Sequence, residues 1–163
     1  MPIKHRINSE LTLFSDRCFP ARFAVINRHR YRAVLGIGGN IGDVRRRFIR
    51  LIHFLKRDNR VTLIETAPIL KNPPFGFIEQ EDFLNSVLEV STSMQAKEFL
   101  RYILHVEKKF GRKRSFADAP RTLDIDMIFF DSRVIQSKEL TLPHPSWQSR
   151  ESVIIPLSFL GRC

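Results

Sequence analysis

A chain of 163 residues is long enough for one domain with a sizeable core and too short for two ordinary ones. Its 43% apolar and 27% charged residues suit a globular protein, and no stretch approaches the roughly 20 apolar residues of a membrane span, so a membrane-spanning class is excluded. The net charge of +10 favours a polyanionic partner, whether nucleic acid, nucleotide phosphate or acidic lipid, without choosing among them.

Residues 1–32 carry seven Lys and Arg against Glu10 and Asp16, but lack the continuous apolar core of a secretory signal. Leu11, Leu13, Phe14, Phe19, Phe23, Val25 and Ile26 give this segment enough apolar surface to pack, so it is expected to be an ordered extension ahead of a single domain over residues 33–163. Residues 33–37 form a short apolar run, read as a strand. The following Gly38, Gly39, Asn40, Ile41, Gly42 and Asp43 read as a tight turn opening a helix, and fit neither the dinucleotide fingerprint nor the Walker spacing. Val44, Phe48, Leu51, Ile52 and Leu55 recur at helical spacing over residues 44–57, with Arg45, Arg46, Arg50 and Arg57 turned outward.

Residues 61–67 predict a second strand. The connection 68–82, with Pro68, Pro73, Pro74 and Gly76, is long enough to suggest a functional loop. Residues 83–90 predict a third strand, on which alternation puts Phe83 and Asn85 on one face. Thr92 to Gln95 resembles a capping box, and Ala96, Phe99, Leu100, Ile103, Val106 and Phe110 form the stripe of a second helix stopped by Gly111. A basic loop then leads to Pro120, Arg121, Thr122, Leu123, Asp124, Ile125 and Asp126, which run into the apolar strand 127–130. The order strand, helix, strand, strand, helix, strand predicts an α+β, ferredoxin-like sandwich, an antiparallel sheet covered by two helices. Val134 and Ile135 with Leu140 to Leu142 predict an added C-terminal hairpin, ended by Pro143, His144 and Pro145, and a short helix is expected near residues 153–157. Cys18 and Cys163 have no metal-binding spacing, so free thiols in a reducing, cytoplasmic setting are expected.

The chemistry concentrates on Asp124 and Asp126. Strand alternation points both the same way, with Cα atoms about 6.5 to 7 Å apart. Two acids side by side call either for a cation such as Mg²⁺, which favours carboxylates together with phosphate oxygens, or for salt bridges to the strand's own arginines. Phe83 beside Asn85 suits a flat heteroaromatic ligand, or is ordinary core with a satisfied amide. His144 is a plausible phosphate contact, or a structural hydrogen-bonding residue.

Taken together, the motifs Gly38 to Asp43, Asp82 to Asn85, Glu107 leading into Gly111 to Arg114, Pro120 to Asp126, Pro143 to Pro145 and Arg150 resemble those of the 6-hydroxymethyl-7,8-dihydropterin pyrophosphokinase family, from about residue 33 to 157. The resemblance implies transfer of pyrophosphate from ATP to the pterin's hydroxymethyl oxygen, with release of AMP, in folate biosynthesis. It implies two Mg²⁺ ions on Asp124 and Asp126, and catalytic roles for these two acids with the loop arginines Arg112 and Arg121. ATP binding would involve Glu107, Arg112, Arg114, Arg121, Met127, Thr141 and His144, and the pterin pocket Asn72, Pro73, Phe75, Phe83 and Asn85. The implied partners are these two substrates, with no nucleic acid and no membrane, on a monomer.

The chain departs from the family pattern in places. Gly39 stands where Ser is usual, the loop between Arg112 and Arg121 is one residue short and lacks a Trp, leaving Phe116 as its only ring, and Ser152 falls where an aromatic residue closes the pterin sandwich. Trp147 is the candidate for a substitute wall, or an anchor for the C-terminal segment. A ferredoxin-like RNA-binding domain is the rival reading, suggested by the charge and by Phe75, Gly76, Phe77 and Ile78. Pro73 and Pro74 argue against it, because a central strand does not absorb two prolines.

Overall fold

The computed structural model describes residues 2–24, 29–74, 76–112 and 120–161. The expectations for Val25, Ile26, Phe75, Arg114 and Phe116 therefore lie outside the described residues.

The extension contributes β1 (Ile3–Arg6), β2 (Thr12–Ser15) and β3 (Ala21–Arg22). There follow β4 (Tyr31–Gly39), α1 (Val44–Lys56), β5 (Val61–Thr66), β6 (Ile69–Asn72), β7 (Phe83–Thr92), α2 (Ala96–Lys109) and β8 (Asp124–Phe130). A small antiparallel hairpin, β9 (Ile135–Gln136) with β10 (Thr141–Leu142), precedes a 3-10 turn (Trp147–Ser149) and α3 (Glu151–Leu157). In the main sheet β4 lies between β7 and β8. The other edge of β7 is shared, its first half pairing with β6 and its second half with β5. Every pairing is antiparallel, and the strand order is that of the expected ferredoxin-like plan with β5 and β6 together acting as one broken strand. The extension then widens the sheet, β2 pairing with β6 and β3 with β5.

Both long helices are amphipathic and cover one face. Phe48, Leu51, Ile52 and Leu55 of α1 and Phe99, Ile103 and Val106 of α2 bury against Leu35, Ile37, Leu88, Val90, Ile125 and Met127 of the sheet. Asp43 caps α1 by accepting from the Arg46 N–H at 3.1 Å, and Gly111, at φ 83°, ends α2 in the left-handed region that favours glycine. On the opposite face α3 packs over β6 and β7, where Val153, with Leu157 and Phe159 alongside, meets Ala67, Val87 and Ile128. A β-bulge at Ile128 shifts the phase of β8. Phe129 thereby joins Ile128 on the α3 face and Phe130 returns to the helix-side core.

Three local expectations are corrected. Gly38 and Gly39 belong to the strand, which begins at Tyr31 and runs to Gly39, so the turn is confined to residues 40–43 with Gly42 at φ 69°. Part of the predicted loop 68–82 is β6, a strand that gains partners on both sides. Thr92 is not a helix cap: it stays in β7, its hydroxyl accepting from the Met94 N–H and donating to the Arg60 carbonyl, while Gln95 occupies the cap position with no side-chain bond.

Candidate active site

The α3 face of the sheet is left open toward one end, and there the floor is bare. On β4 the residues facing this side are Val34, Gly36 and Gly38, so the last two present only backbone. A Cβ on Gly38 would collide with Oδ1 of Asn85, and one on Gly36 would press on Ile128 at 3.3 Å. The cleft above this floor is lined by Asn72 of β6, Phe83 and Asn85 of β7, Arg121 ahead of β8, Asp124 and Asp126 of β8, and Arg150, Ser152 and Val153 at the start of α3.

At one side Asn85 Nδ2 donates to Asn72 Oδ1 at 2.6 Å, and Asn72 Nδ2 donates to the Pro73 carbonyl at 3.0 Å, which fixes both amides. The Phe83 ring stands next to them with the Arg121 guanidinium 5.7 Å from its centroid. At the other side Arg121 Nη1 contacts Asp124 Oδ2 at 2.9 Å, and Arg112 Nη2 reaches Asp124 Oδ1 at 3.5 Å. Asp126 sits deeper. Burial, followed by the nearby carboxylates of Asp124 and Glu107, pushes its carboxyl up to about 7, against the opposing pull of Arg150 and Arg121.

Those observations bear on a cation. Asp124 and Asp126 share a face one strand repeat apart, in a buried place where two negative charges repel. Asp124 uses the arginines that the salt-bridge alternative required, yet Asp126 still strains against ionisation. Among the described residues no cluster of three or more His, Cys, Asp or Glu side chains could form a complete metal cage. Two carboxylates that leave the remaining positions to water and phosphate oxygens are the donor set Mg²⁺ prefers, so the residues present fit that ion.

The remaining predicted residues fall around the cleft rather than in it. Glu107 is buried on α2, where its Oε2 accepts from the Ile125 N–H at 2.7 Å and so fixes the start of β8 between the two acids. Met127 points into the helix-side core, and Thr141 is exposed on β10. His144 is held by its N–H to the Ile128 carbonyl and by Nδ1 accepting from the Ser146 N–H. Burial and Arg150 lower the His144 pKa while Asp124 raises it, which puts the imidazole within electrostatic reach of the site. Pro73 accepts the Asn72 bond through its carbonyl. Trp147 packs edge-on against Phe129, ring centroids 5.0 Å apart, as part of the α3 cluster, and is not among the residues lining the cleft; Ser152 is.

Sequence reasoning missed one residue with a clear positioning role. Asn40 Oδ1 accepts from the Arg121 N–H at 2.8 Å, its own N–H donates to the Arg121 carbonyl, and its Nδ2 donates to Gln80 Oε1 and the Glu81 carbonyl. One amide thus joins the end of β4 to the segments on either side of the cleft. Arg47 supports the same junction, donating to the Ile41 and Thr122 carbonyls. The available signal was the polar residue at the end of a glycine-rich strand, which reads equally as turn chemistry.

The family model described as 7,8-dihydro-6-hydroxymethylpterin-pyrophosphokinase matches residues 34–161. Among similar proteins, the 2-amino-4-hydroxy-6-hydroxymethyldihydropteridine pyrophosphokinase of Campylobacter jejuni is 40% identical over 145 residues, covering 89% of this chain and 92% of its own. The protein of the same name from Helicobacter pylori is 36% identical over 148 residues, covering 90% and 91%. That from Aquifex aeolicus is 37% identical over 123 residues, covering 76% of each. The first two matches are longer than the family-model match and so extend into the N-terminal segment. With one cleft bringing the paired amides, the Phe83 ring, the arginines and the two acids together within the matched residues, these matches show that the chain belongs to the 7,8-dihydro-6-hydroxymethylpterin pyrophosphokinase family.

Proposed function

We propose that the chain transfers the pyrophosphoryl group of ATP to the hydroxymethyl oxygen of 6-hydroxymethyl-7,8-dihydropterin in folate biosynthesis, with the roles divided across this cleft. The observation that carries the division is the adjacency of two unlike halves. Asn72, Phe83 and Asn85 offer an amide edge and a ring face, while Asp124, Asp126, Arg112 and Arg121 offer paired acids and guanidinium groups.

On the first half, the Asn72–Asn85 bond locks both amides, so the donors and acceptors they present to the edge of a flat heterocycle do not reorganise when it arrives. Phe83 supplies a face for stacking. Gly36 and Gly38, without side chains of their own, let Ile128 and Asn85 lie close against β4. On the second half, Arg121 stands between the two, bonded to Asp124 and lying over Phe83, where its planar fork can meet a phosphate beside the reacting oxygen. Arg112, whose own backbone N–H bonds to the Glu107 carbonyl, approaches from the end of α2.

Attack of the hydroxymethyl oxygen on the β-phosphorus forms the new O–P bond, breaks the bond to the α-phosphate oxygen and releases AMP. Negative charge grows on the nonbridging and leaving oxygens, and guanidinium groups already in place lower its energy most in a site closed to water. Asp124 and Asp126 would hold two Mg²⁺ ions, which when bound neutralise phosphate charge and favour the alkoxide of the attacking hydroxyl.

The test is incubation with Mg²⁺, ATP and the reduced hydroxymethylpterin. Stoichiometric AMP and pterin diphosphate are expected. Formation of ADP with a pterin monophosphate, or pterin-independent hydrolysis alone, would refute the assignment.

A further inference from the structure

Register connects the N-terminal extension to the cleft. Leu13 of β2 lies opposite Leu70 of β6, Leu70 opposite Asn85 of β7, Asn85 opposite Gly38 of β4, and Gly38 opposite Asp124 of β8. Directly opposed residues in antiparallel strands share a face. A single row therefore runs from the extension, through the amide of the flat-ligand half, over the bare floor, to one of the two acids.

The packing follows that row. Leu11, Leu13 and Leu70 bury together, with Ile155 and Phe159 from the C-terminal segment against them. Phe159 also packs on the cluster of Ala67, Val87, Ile128 and Val153, of which Ile128 and Val153 line the cleft. The extension thus touches both walls of the flat-ligand half: β6, which ends in Asn72, and α3, which begins beside Arg150 and Ser152. Without β2, β6 would be a four-residue strand paired only with β7, an edge that two prolines, Pro73 and Pro74, follow at once. The Asp16–Arg45 pair at 3.4 Å fastens the segment after β2 to α1, so the hairpin is tied at both its sheet side and its helix side.

We infer that the β1–β2 hairpin is a positioning element for the pterin half of the site, with Leu13 the residue through which it sets the place of Asn72 and Asn85. Leu13 touches no substrate. It acts through Leu70 and β6, and the ATP half, built on β8 and the end of α2, lies two strands further along the row. The inference rests on the pterin reading of the cleft given above.

The experiment measures separate KM values for pterin and ATP in the full chain carrying Leu13→Ala, Leu13→Val or Leu13→Ile, with folded fraction followed by circular dichroism. Loss of precise alignment of two hydrogen-bonding amides is expected to raise the pterin KM about tenfold in Leu13→Ala and roughly threefold in Leu13→Val, with the ATP KM within about twofold of the parent. Leu13→Ile should restore near-parental values. A hairpin that serves stability alone would lower the amount of active enzyme and leave both KM values unchanged, and that result in the folded variants overturns the inference, as does a parallel rise of both constants. If Leu13→Ala does not fold, Leu13→Val decides by the same criteria. Failure of the parent to form AMP would instead count against the proposed reaction, so the two failures are distinct.

Discussion

Asp124 and Asp126 are two residues apart on one strand face, yet they occupy opposite electrostatic situations. Asp124 is held by Arg121 and Arg112, whereas burial and neighbouring carboxylates push Asp126 up to about 7. An acid whose folded pKa exceeds its unfolded value binds its proton more tightly when folded. Without a divalent ion, stability therefore falls as pH rises from the unfolded carboxylate value near ~4 to about 7, by at most ~1.4 kcal/mol per unit, and is level beyond. Asp126→Asn removes that penalty. In chelator-treated protein it is expected to raise Tm over the parent clearly at pH 8 and much less at pH 5, while turnover is lost. An equal Tm gain at both pH values, or a lower Tm at pH 8, would show that the carboxylate is not strained. Asp124→Asn should behave in the opposite sense, lowering Tm, because it leaves two partly buried guanidinium groups without their shared carboxylate. The pairing of the acids was legible from strand alternation alone. Their difference was not, because it depends on Arg112 arriving from the end of α2 and on Glu107 being buried beneath β8. Of the two roles sequence left open for Trp147, the structure shows the anchor, and the choice was not legible because the bulge at Ile128 is what turns Phe129 to meet it.

The elements that sequence periodicity revealed are those with enough length to show a period: α1, α2, β7 and β8. β6 escaped because four residues between Pro68 and Pro73 carry no usable alternation, and its identity comes from partners on both sides, β7 and β2. Gly38 and Gly39 of β4 were read as a turn for a related reason. Glycine is common in turns, and only the neighbouring strand shows that the demand here is close approach. Gly39 makes the point sharply, since a Cβ there would lie 2.6 Å from the Thr122 carbonyl oxygen, on the segment Asn40 latches. Gly38 offers the cleaner experiment, because the atom in the way belongs to Asn85. Gly38→Ala is expected to displace that amide from its bond with Asn72, weakening pterin binding by about tenfold or more while the affinity for a Mg²⁺-bound ATP analogue changes less than about threefold. Calorimetry with each ligand separately measures both. Unaltered pterin affinity in the folded variant would mean that Asn85 does not orient this substrate.

At the scale of the molecule the charge is unevenly placed. α1 has no acidic residue among its thirteen and carries Arg45, Arg46, Arg47, Arg50 and Lys56, while the arginines of the cleft face two acids. The composition pointed to a polyanionic partner, and an ATP-using family supplies one in the nucleotide phosphates. No helix among the described residues is long and apolar enough to cross a membrane. A net charge of +10 produces a field that extends about a Debye length, near ~10 Å at 0.1 M salt, so it favours an anionic ligand and is screened as salt rises. The two substrates differ in this respect, since the nucleotide is anionic even with its metal and the pterin is neutral. Raising ionic strength from about 0.05 to about 0.5 M should therefore weaken binding of a nonhydrolysable ATP analogue with Mg²⁺ by about tenfold, and pterin binding by less than about twofold. The two Kd values, measured across a KCl series at fixed pH and free Mg²⁺, give the two slopes directly. Equal slopes would mean that the excess charge on the helix layer does not reach the cleft, and that Arg112 and Arg121 act on the phosphates only at contact distance.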